Sequence, residues 1–121
     1  MRDIDLVTQI SQLLYDKKAD DILALRVGHL TVLADYLVIA TGRTPIAVRA
    51  LCDHLDEFMS KQGLSPRRVE GKQEGAWVVM DYANIIIHIF KPDAREYYHL
   101  ERLWEDGQNR VKLPFIEKLE A

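Results

Sequence analysis

A nearly continuous apolar run at residues 34–41 constrains the fold of this chain more than any other feature. It includes Val38, Ile39 and Ala40 and is followed directly by the turn residue Gly42. A short apolar run of this kind is typical of a strand that is buried on both faces of a sheet. Such a strand needs neighbouring strands and covering helices, so we place it in the interior of a sheet.

The segments on either side of this run supply further elements. Residues 3–18 carry apolar side chains at helical spacing, with acids at the start and lysines at the end, as the helix dipole favours. Residues 21–27 read as a strand. Beyond the run, Thr44 is a candidate N-cap and Pro45 suits the first position of a long helix that ends near Gly63.

The second half of the chain contributes more strands. Residues 67–70 form a short polar strand, and residues 77–81 and 84–90 form a β-hairpin. Residues 94–104 have helical character. The resulting order α-β-β-α-β-β-β-α combines a strand–helix–strand crossover with a hairpin, which predicts an α/β (α+β) fold: a mixed β-sheet flanked by helices.

The length of 121 residues fits one domain. We predict that residues 1–106 form this single α/β domain. Residues 107–121 are then a C-terminal extension, expected to be loosely held. Within it, Pro114 precedes a short apolar cluster, Phe115, Ile116 and Leu119, that could form one or two helical turns.

Net charge and cysteine content narrow the classes of partner. A net charge of -3 argues against binding that depends on neutralising phosphates, so we expect no sequence-specific nucleic acid and favour a basic protein. The lone Cys52 excludes an internal disulfide and reads as a small apolar helix residue. The sequence contains neither a long apolar span nor an export signal, so we expect no membrane contact and a cytoplasmic location.

The hairpin presents two different faces. With a two-residue turn, Asp81 would pair with Asn84 and Trp77 with His88. One face then carries only apolar side chains apart from Tyr82 and is the better core. The other mixes large apolar and polar groups: Trp77, Val79, Asp81, Asn84, Ile86, His88 and Phe90. Either a helix covers this mixed face, leaving His88 semi-buried, or a partner does; the residues alone leave both possibilities open.

Residues 95–106 are dense in aromatic and acidic side chains. On one continuous helix, an apolar stripe would form from Tyr97, Leu100, Leu103 and Trp104. Tyr98, Glu101 and Glu105 would project to another side. An exposed tyrosine beside carboxylates suits a basic protein surface, because aromatic residues anchor interfaces and acids steer cationic partners.

Patterns that carry chemistry are missing. No predicted strand has the closely spaced carboxylates of a two-metal site, and the four histidines lack metal-ligand spacing. The turn at Gly42 lacks the lysine of a phosphate-binding loop. Cys52 and His54 would point in different directions on a helix. We therefore expect no catalytic residues, no metal and no cofactor.

Five motifs resemble the Iojap, or ribosomal silencing factor, family. In order they are ADYLVIATG at 34–42, VEG at 69–71, WVVMDY at 77–82, IHIF at 87–90 and REYYHLERLW at 95–104. The resemblance spans about residues 3–104. It implies a nucleotidyltransferase-like fold without catalytic acids. It also implies a non-enzymatic factor that binds large-subunit ribosomal protein fourteen, blocks joining of the subunits and represses translation under nutrient limitation.

The resemblance also implies particular contact residues. The ribosome-binding surface would comprise Trp77, Asp81, Tyr98, Leu100, Glu101 and Trp104. Members of the family form homodimers, and the candidate dimer face here comprises Trp77, Ile86, His88 and Phe90. The chain departs from the family pattern after Trp104, where the extension begins.

Two other functions fit parts of the sequence. An adaptor with a non-ribosomal partner would use the same aromatic and acidic surface. A residual nucleotide-binding enzyme would use the Gly42 turn with Asp35 or Asp81, but the missing metal-ligand spacing disfavours it.

Overall fold

The computed structural model of the chain describes residues 2–115, which contain four helices and five strands. In chain order these are α1 (Asp3–Asp16), β1 (Asp20–Arg26), β2 (Tyr36–Thr41), α2 (Pro45–Lys61), β3 (Arg68–Glu70), β4 (Trp77–Asp81), β5 (Ile85–Phe90), α3 (Pro92–Tyr98) and α4 (Glu101–Trp104). No helix in this part of the chain has both the length and the apolar character needed to cross a membrane.

The strands form one mixed sheet in the order β1-β2-β5-β4-β3. Strands β2 and β5 are parallel and are connected through α2, β3 and β4, while all other neighbours are antiparallel. Helices α1 and α2 pack together on one face of the sheet. The predicted mixed sheet with flanking helices is confirmed, and the apolar run at residues 34–41 supplies an interior strand, as expected.

Local signals define α2 closely. The Thr44 hydroxyl accepts a hydrogen bond from the backbone N–H of Ala47 at 3.0 Å, and Pro45 takes the first helical position. These are the predicted N-cap and helix start. Cys52 is buried on the face of α2 that packs on the sheet, as predicted for a small apolar residue.

The hairpin register differs from the prediction by two residues. Trp77 pairs with Phe90 and Asp81 with Ile86, and the turn contains Ala83 and Asn84. Ala83 has a φ of 71° and its N–H is bound by the Asp81 side chain, which stabilises the turn there. Because side chains alternate with a period of two, this shift leaves the strand residues of the two predicted sets on the same two faces. Asn84 is the exception: it lies in the turn, and its amide donates to Asp3 of α1, which packs on the opposite face.

The predicted helix at residues 94–104 is interrupted. His99 adopts a left-handed conformation with φ 48°, which ends α3 and turns the chain before α4 begins. We call residues 92–104, from α3 through α4, the elbow. The apolar stripe predicted for a continuous helix therefore does not form, since Leu100 is buried while Tyr97 and Leu103 are exposed.

The segment after the elbow is held firmly as far as Phe115. The N–H of Arg26 donates to the carbonyl of Asn109, and the N–H of Val111 donates to Ala24, each at 2.8 Å. Leu113 and Phe115 are buried in the same core as α1 and α2. A loosely held extension is therefore the wrong description of residues 109–115. The predicted positions of Ile116 and Leu119 lie outside the described residues.

Candidate protein-docking surface

The sheet face opposite α1 and α2 is only partly covered by the chain. The elbow and neighbouring strands bury a second apolar cluster that includes Leu25, Ile39, Phe90 and Leu100. Next to this cluster, part of the same face stays accessible. We define the docking face as Trp77, Val79, Ile86 and His88 of the sheet together with Tyr98 of the elbow. The sequence left open whether a helix or a partner covers this face. The elbow covers one part of it, and the other part remains accessible to a partner.

Aromatic stacking fixes the border between the covered and accessible parts. The Trp77 ring lies 5.0 Å from Phe90 and 4.7 Å from Tyr98, measured between ring centroids. Tyr98 keeps 51% of its surface exposed although it rests on Trp77. A supported but half-exposed aromatic side chain is the kind of group that anchors protein interfaces. Phe90 is fully buried beneath this layer, so it offers no surface for a dimer contact, contrary to expectation.

His88 holds Trp77 in place from the neighbouring strand. The indole Nε1–H of Trp77 donates to His88 Nδ1 at 3.0 Å. Burial lowers the pKa of His88 to about 4. The imidazole is therefore neutral at pH 7, in agreement with its role as a hydrogen-bond acceptor from the indole.

Asp81 occupies a different environment from the one predicted. Its carboxylate is buried and accepts hydrogen bonds from Arg67 Nη2 at 3.2 and 3.3 Å and from the N–H of Ala83 at 2.8 Å. The pair forms one wall of a shallow depression shared with Leu33 and Ile86. Asp81 therefore shapes the surface, and the exposed group at this position is the Arg67 side chain.

Glu101 is also paired within the chain, which corrects the prediction of a projecting acid. Its carboxylate lies 3.1 Å from Arg95 Nε, and the two side chains are only 18% and 12% exposed. Arg95 Nη1 donates a further hydrogen bond to the Thr41 hydroxyl at 2.9 Å. These contacts tie the elbow to the end of β2. The left-handed His99 between Arg95 and Glu101 brings the two charges together.

The remaining predicted contact residues divide between core and surface. Leu100 is buried in the second cluster, and Trp104 is partly buried against it. Trp77 and Ile86 are partly exposed, and His88 is 9% exposed. Tyr98 is thus the most exposed of the residues that the resemblance singled out.

Sequence reasoning missed the loop that borders the depression. Val32 and Leu33 are exposed apolar residues between β1 and β2, and Leu33 lines the depression beside Ile86. The loop is connected to the end of the elbow by a 2.7 Å hydrogen bond from His29 to Asp106, and this bond is the main cause of a lowered pKa of Asp106. Two adjacent apolar residues outside any predicted strand were the available signal.

The candidate nucleotide site does not assemble around the Gly42 turn. The N–H of Gly42 is bound to the carbonyl of Phe90, and a Cβ at residue 42 would lie 2.9 Å from Val48 Cγ2. The glycine thus permits close packing of α2 on the sheet. Asp81 is neutralised by Arg67, and residues 2–115 contain no cluster of three or more potential metal ligands.

The geometry defines a small α/β domain with a partly exposed aromatic and aliphatic surface on one face of its sheet. The entire chain, residues 1–121, matches the family model described as "Ribosomal silencing factor during starvation". The chain belongs to the ribosomal silencing factor family, which confirms the resemblance carried by its motifs.

Individual relatives agree with this assignment. The chain is 36% identical over 92 residues to the Bacillus subtilis protein named ribosomal silencing factor RsfS, covering 76% of this chain and 78% of that one. A crystal structure of a Chromobacterium violaceum protein has a TM-score of 0.80 at 28% identity, covering 93% of this chain and 97% of that one. The mouse protein named "Mitochondrial assembly of ribosomal large subunit protein 1" is 31% identical, covering 84% of this chain and 45% of the mouse protein.

Proposed function

We propose that this chain binds the large ribosomal subunit through its ribosomal protein fourteen and blocks joining of the small subunit. Translation then falls under nutrient limitation. The observation that carries this proposal is the accessible docking face, where Tyr98 packs against Trp77 with tilted rings beside Ile86. The family description and the name of the mouse relative support a ribosomal target.

The charges on the elbow side of the docking face favour a basic partner, whereas Arg67 and Arg68 line the depression on its other side. Residues 92–106 contain five acidic side chains, Asp93, Glu96, Glu101, Glu105 and Asp106, against two arginines. Arg95 pairs with Glu101, Lys91 with Asp93 and Arg110 with Glu105, so the outward negative field of this segment comes mainly from Glu96 and Asp106. An acidic border of this kind steers a cationic protein surface and raises its association rate. The aromatic groups then supply the affinity.

The mechanism is occupancy of a surface. A docked protein excludes the small subunit sterically, and none of the steps requires bond chemistry. We further propose that a second copy of the chain covers the docking face in a homodimer before docking, with Trp77 and Ile86 as contacts. In either complex, burying this partly apolar face removes apolar surface from water, which favours association.

Co-sedimentation with isolated large subunits, isolated small subunits and joined ribosomes tests the proposal. Ile86→Lys places a cation in the docking face and is expected to reduce binding to large subunits roughly tenfold or more. Ile46→Lys is the matched control, because Ile46 is 73% exposed on α2, which packs on the opposite face. Thermal unfolding of both variants separates loss of binding from loss of fold.

Binding of the wild type and of Ile46→Lys to large subunits alone, with loss in Ile86→Lys, supports the proposal. Light scattering of the same proteins shows whether Ile86→Lys also dissociates the dimer. Absence of wild-type binding to any ribosomal particle would reject the ribosomal target and leave an adaptor with another protein partner. Equal binding of both variants would mean that the docking face lies elsewhere.

A further inference from the structure

His88 has one ring nitrogen committed and one free. Its Nδ1 accepts the hydrogen bond from Trp77, and a neutral imidazole carries its single proton on the other nitrogen. Nε2–H is therefore a donor. Within residues 2–115, no side chain or backbone group forms a hydrogen bond with it.

The free nitrogen belongs to a side chain that is nine-tenths buried in the docking face. His88 pairs with Val79 on one side and with Ile39 on the other, so apolar residues flank it. Among the described residues, the polar side-chain atoms that are both fully buried and unpaired are Ser11 Oγ and Tyr82 Oη. His88 Nε2 is not one of them, so it reaches solvent through the small exposed part of the ring.

The other buried polar groups near this face are already satisfied. Asp81 is bound by Arg67, and Glu101 is bound by Arg95. Solvent can reach Nε2–H in the free protein, and a docked partner would exclude that solvent. A donor left without an acceptor at this step weakens binding roughly tenfold or more. The ring therefore discriminates between partners that do and do not offer an acceptor.

We propose that His88 is a specificity residue of the docking face and donates its Nε2–H to a neutral oxygen acceptor, a backbone carbonyl or side-chain amide, of the docked protein. This inference rests on the proposed function. Lysine and arginine side chains have no acceptor atom, so they cannot satisfy this donor although they suit the acidic border. The docked surface must therefore combine basic residues at its edge with an uncharged acceptor opposite His88.

Two amide substitutions at residue 88 separate the roles of the two ring nitrogens. In His88→Asn, the amide oxygen can take the place of Nδ1 and accept from Trp77, but the outward donor is lost. In His88→Gln, the longer side chain can place its amide N–H near the position of Nε2, but the acceptor for Trp77 is lost. The measurements are affinity for isolated large subunits and thermal unfolding of the free proteins.

We expect roughly tenfold weaker binding for His88→Asn and a smaller loss for His88→Gln, which keeps the outward donor but not the acceptor for Trp77. Wild-type affinity in His88→Asn overturns the inference while leaving the proposed function intact. A larger loss in His88→Gln than in His88→Asn also overturns it, because support of Trp77 would then be the only role of the ring. A wild type that does not bind large subunits rejects both.

A measurement on the unmodified protein covers the case in which His88→Asn does not fold. Nitrogen-15 NMR of the histidine rings reports the tautomer and the hydrogen bonding of each nitrogen. We expect the Nε2–H resonance of His88 to shift downfield and to exchange more slowly with water when isolated ribosomal protein fourteen is added. An unchanged resonance in the bound state overturns the inference.

Discussion

The two faces of the sheet differ in what covers them and in what their interiors contain. One face lies under α1 and α2, helices of 14 and 17 residues, and its strands contribute apolar side chains such as Val38, Met80 and Ile87. The other lies partly under an elbow made of two helices of 7 and 4 residues. The first face supplies a continuous core, and the second leaves room for a partner.

Polar pairs compensate for the missing cover on the second face. Three interactions hold its shape: Trp77 with His88, Arg67 with Asp81, and Arg95 with Glu101. Each interaction depends on hydrogen-bond geometry or charge as well as on burial. We therefore expect that losing one of them would not unfold the core under α1 and α2. From this difference we expect the face under α1 and α2 to contribute most of the stability, and the other face to determine docking.

Adjacent residues of β5 provide the strongest test of this separation. Ile87→Ala removes a fully buried side chain under α2 and should lower the free energy of unfolding by about 2–5 kcal/mol. Ile86→Ala alters the partly exposed docking face and should cost about 1 kcal/mol or less. Urea denaturation at pH 7 measures both values. Equal destabilisation would show that the second face is as much a core as the first.

Reversing a charge in the elbow should have the next largest effect. Glu101→Lys sets two cations side by side in a mostly buried site and should lower the free energy of unfolding by on the order of 3 kcal/mol. Large-subunit binding should fall with it, because Tyr98 is carried by the same elbow. The sequence alone had indicated an outward-projecting acid at residue 101.

The double substitution Arg95→Glu with Glu101→Lys is the control. It restores opposite charges in exchanged positions and should recover part of the lost stability, whereas Glu96→Lys, at an exposed acid of the same elbow, should change the free energy of unfolding far less. Denaturant titration of the wild type, the single variants Arg95→Glu and Glu101→Lys, and the double variant gives the coupling energy between residues 95 and 101. A coupling near zero would contradict the view that this pair holds the elbow.

Acid should weaken the second face through His88. Its pKa is about 4 in the fold, below the ordinary value of 6.5, because burial disfavours the charged form. Between these values the unfolded chain binds a proton that the folded chain does not, so stability falls as pH falls. From pH 7 to pH 4.5 the wild type should lose roughly 2 kcal/mol more than His88→Asn. Parallel losses in both proteins would show that His88 does not titrate in this way.

Local signals explain which parts of the fold could be predicted from the sequence. The Thr44–Pro45 start of α2 was predicted because an N-cap and its proline act on adjacent residues. The two faces of the hairpin were also assigned correctly despite the shifted register, since alternation depends only on parity.

The missed features depend on contacts between distant parts of the chain. The backbone hydrogen bond between Arg26 and Asn109 joins two residues that are far apart in the sequence, and no spacing rule predicts it. The left-handed His99 lies between the paired Arg95 and Glu101, and a continuous helical pattern in the sequence conceals both the turn and the pairing. For the same reason Glu101 was taken for a free acid: helical periodicity gives a direction for each side chain but does not identify its neighbour.

Two neighbouring tyrosines allow the smallest effect to be measured with a matched control. Tyr98 rests on Trp77 at the border of the docking face, whereas Tyr97 is 82% exposed and meets Tyr98 edge-on. Tyr98→Ala should weaken binding to large subunits by about 1–2 kcal/mol, roughly tenfold, with a change in unfolding free energy below about 1 kcal/mol. Tyr97→Ala removes a side chain of equal size and should change binding less than threefold.

Competition sedimentation with labelled wild type measures both affinities under one condition, and circular dichroism confirms that both variants are folded. A greater loss in Tyr97→Ala would place the anchor on the outer side of the elbow. The docking face would then have to be redrawn around Tyr97 and the exposed Leu103. A loss confined to Tyr98→Ala assigns the anchor to the side chain that the sheet supports, because stacking on Trp77 limits the conformational entropy that Tyr98 loses on docking.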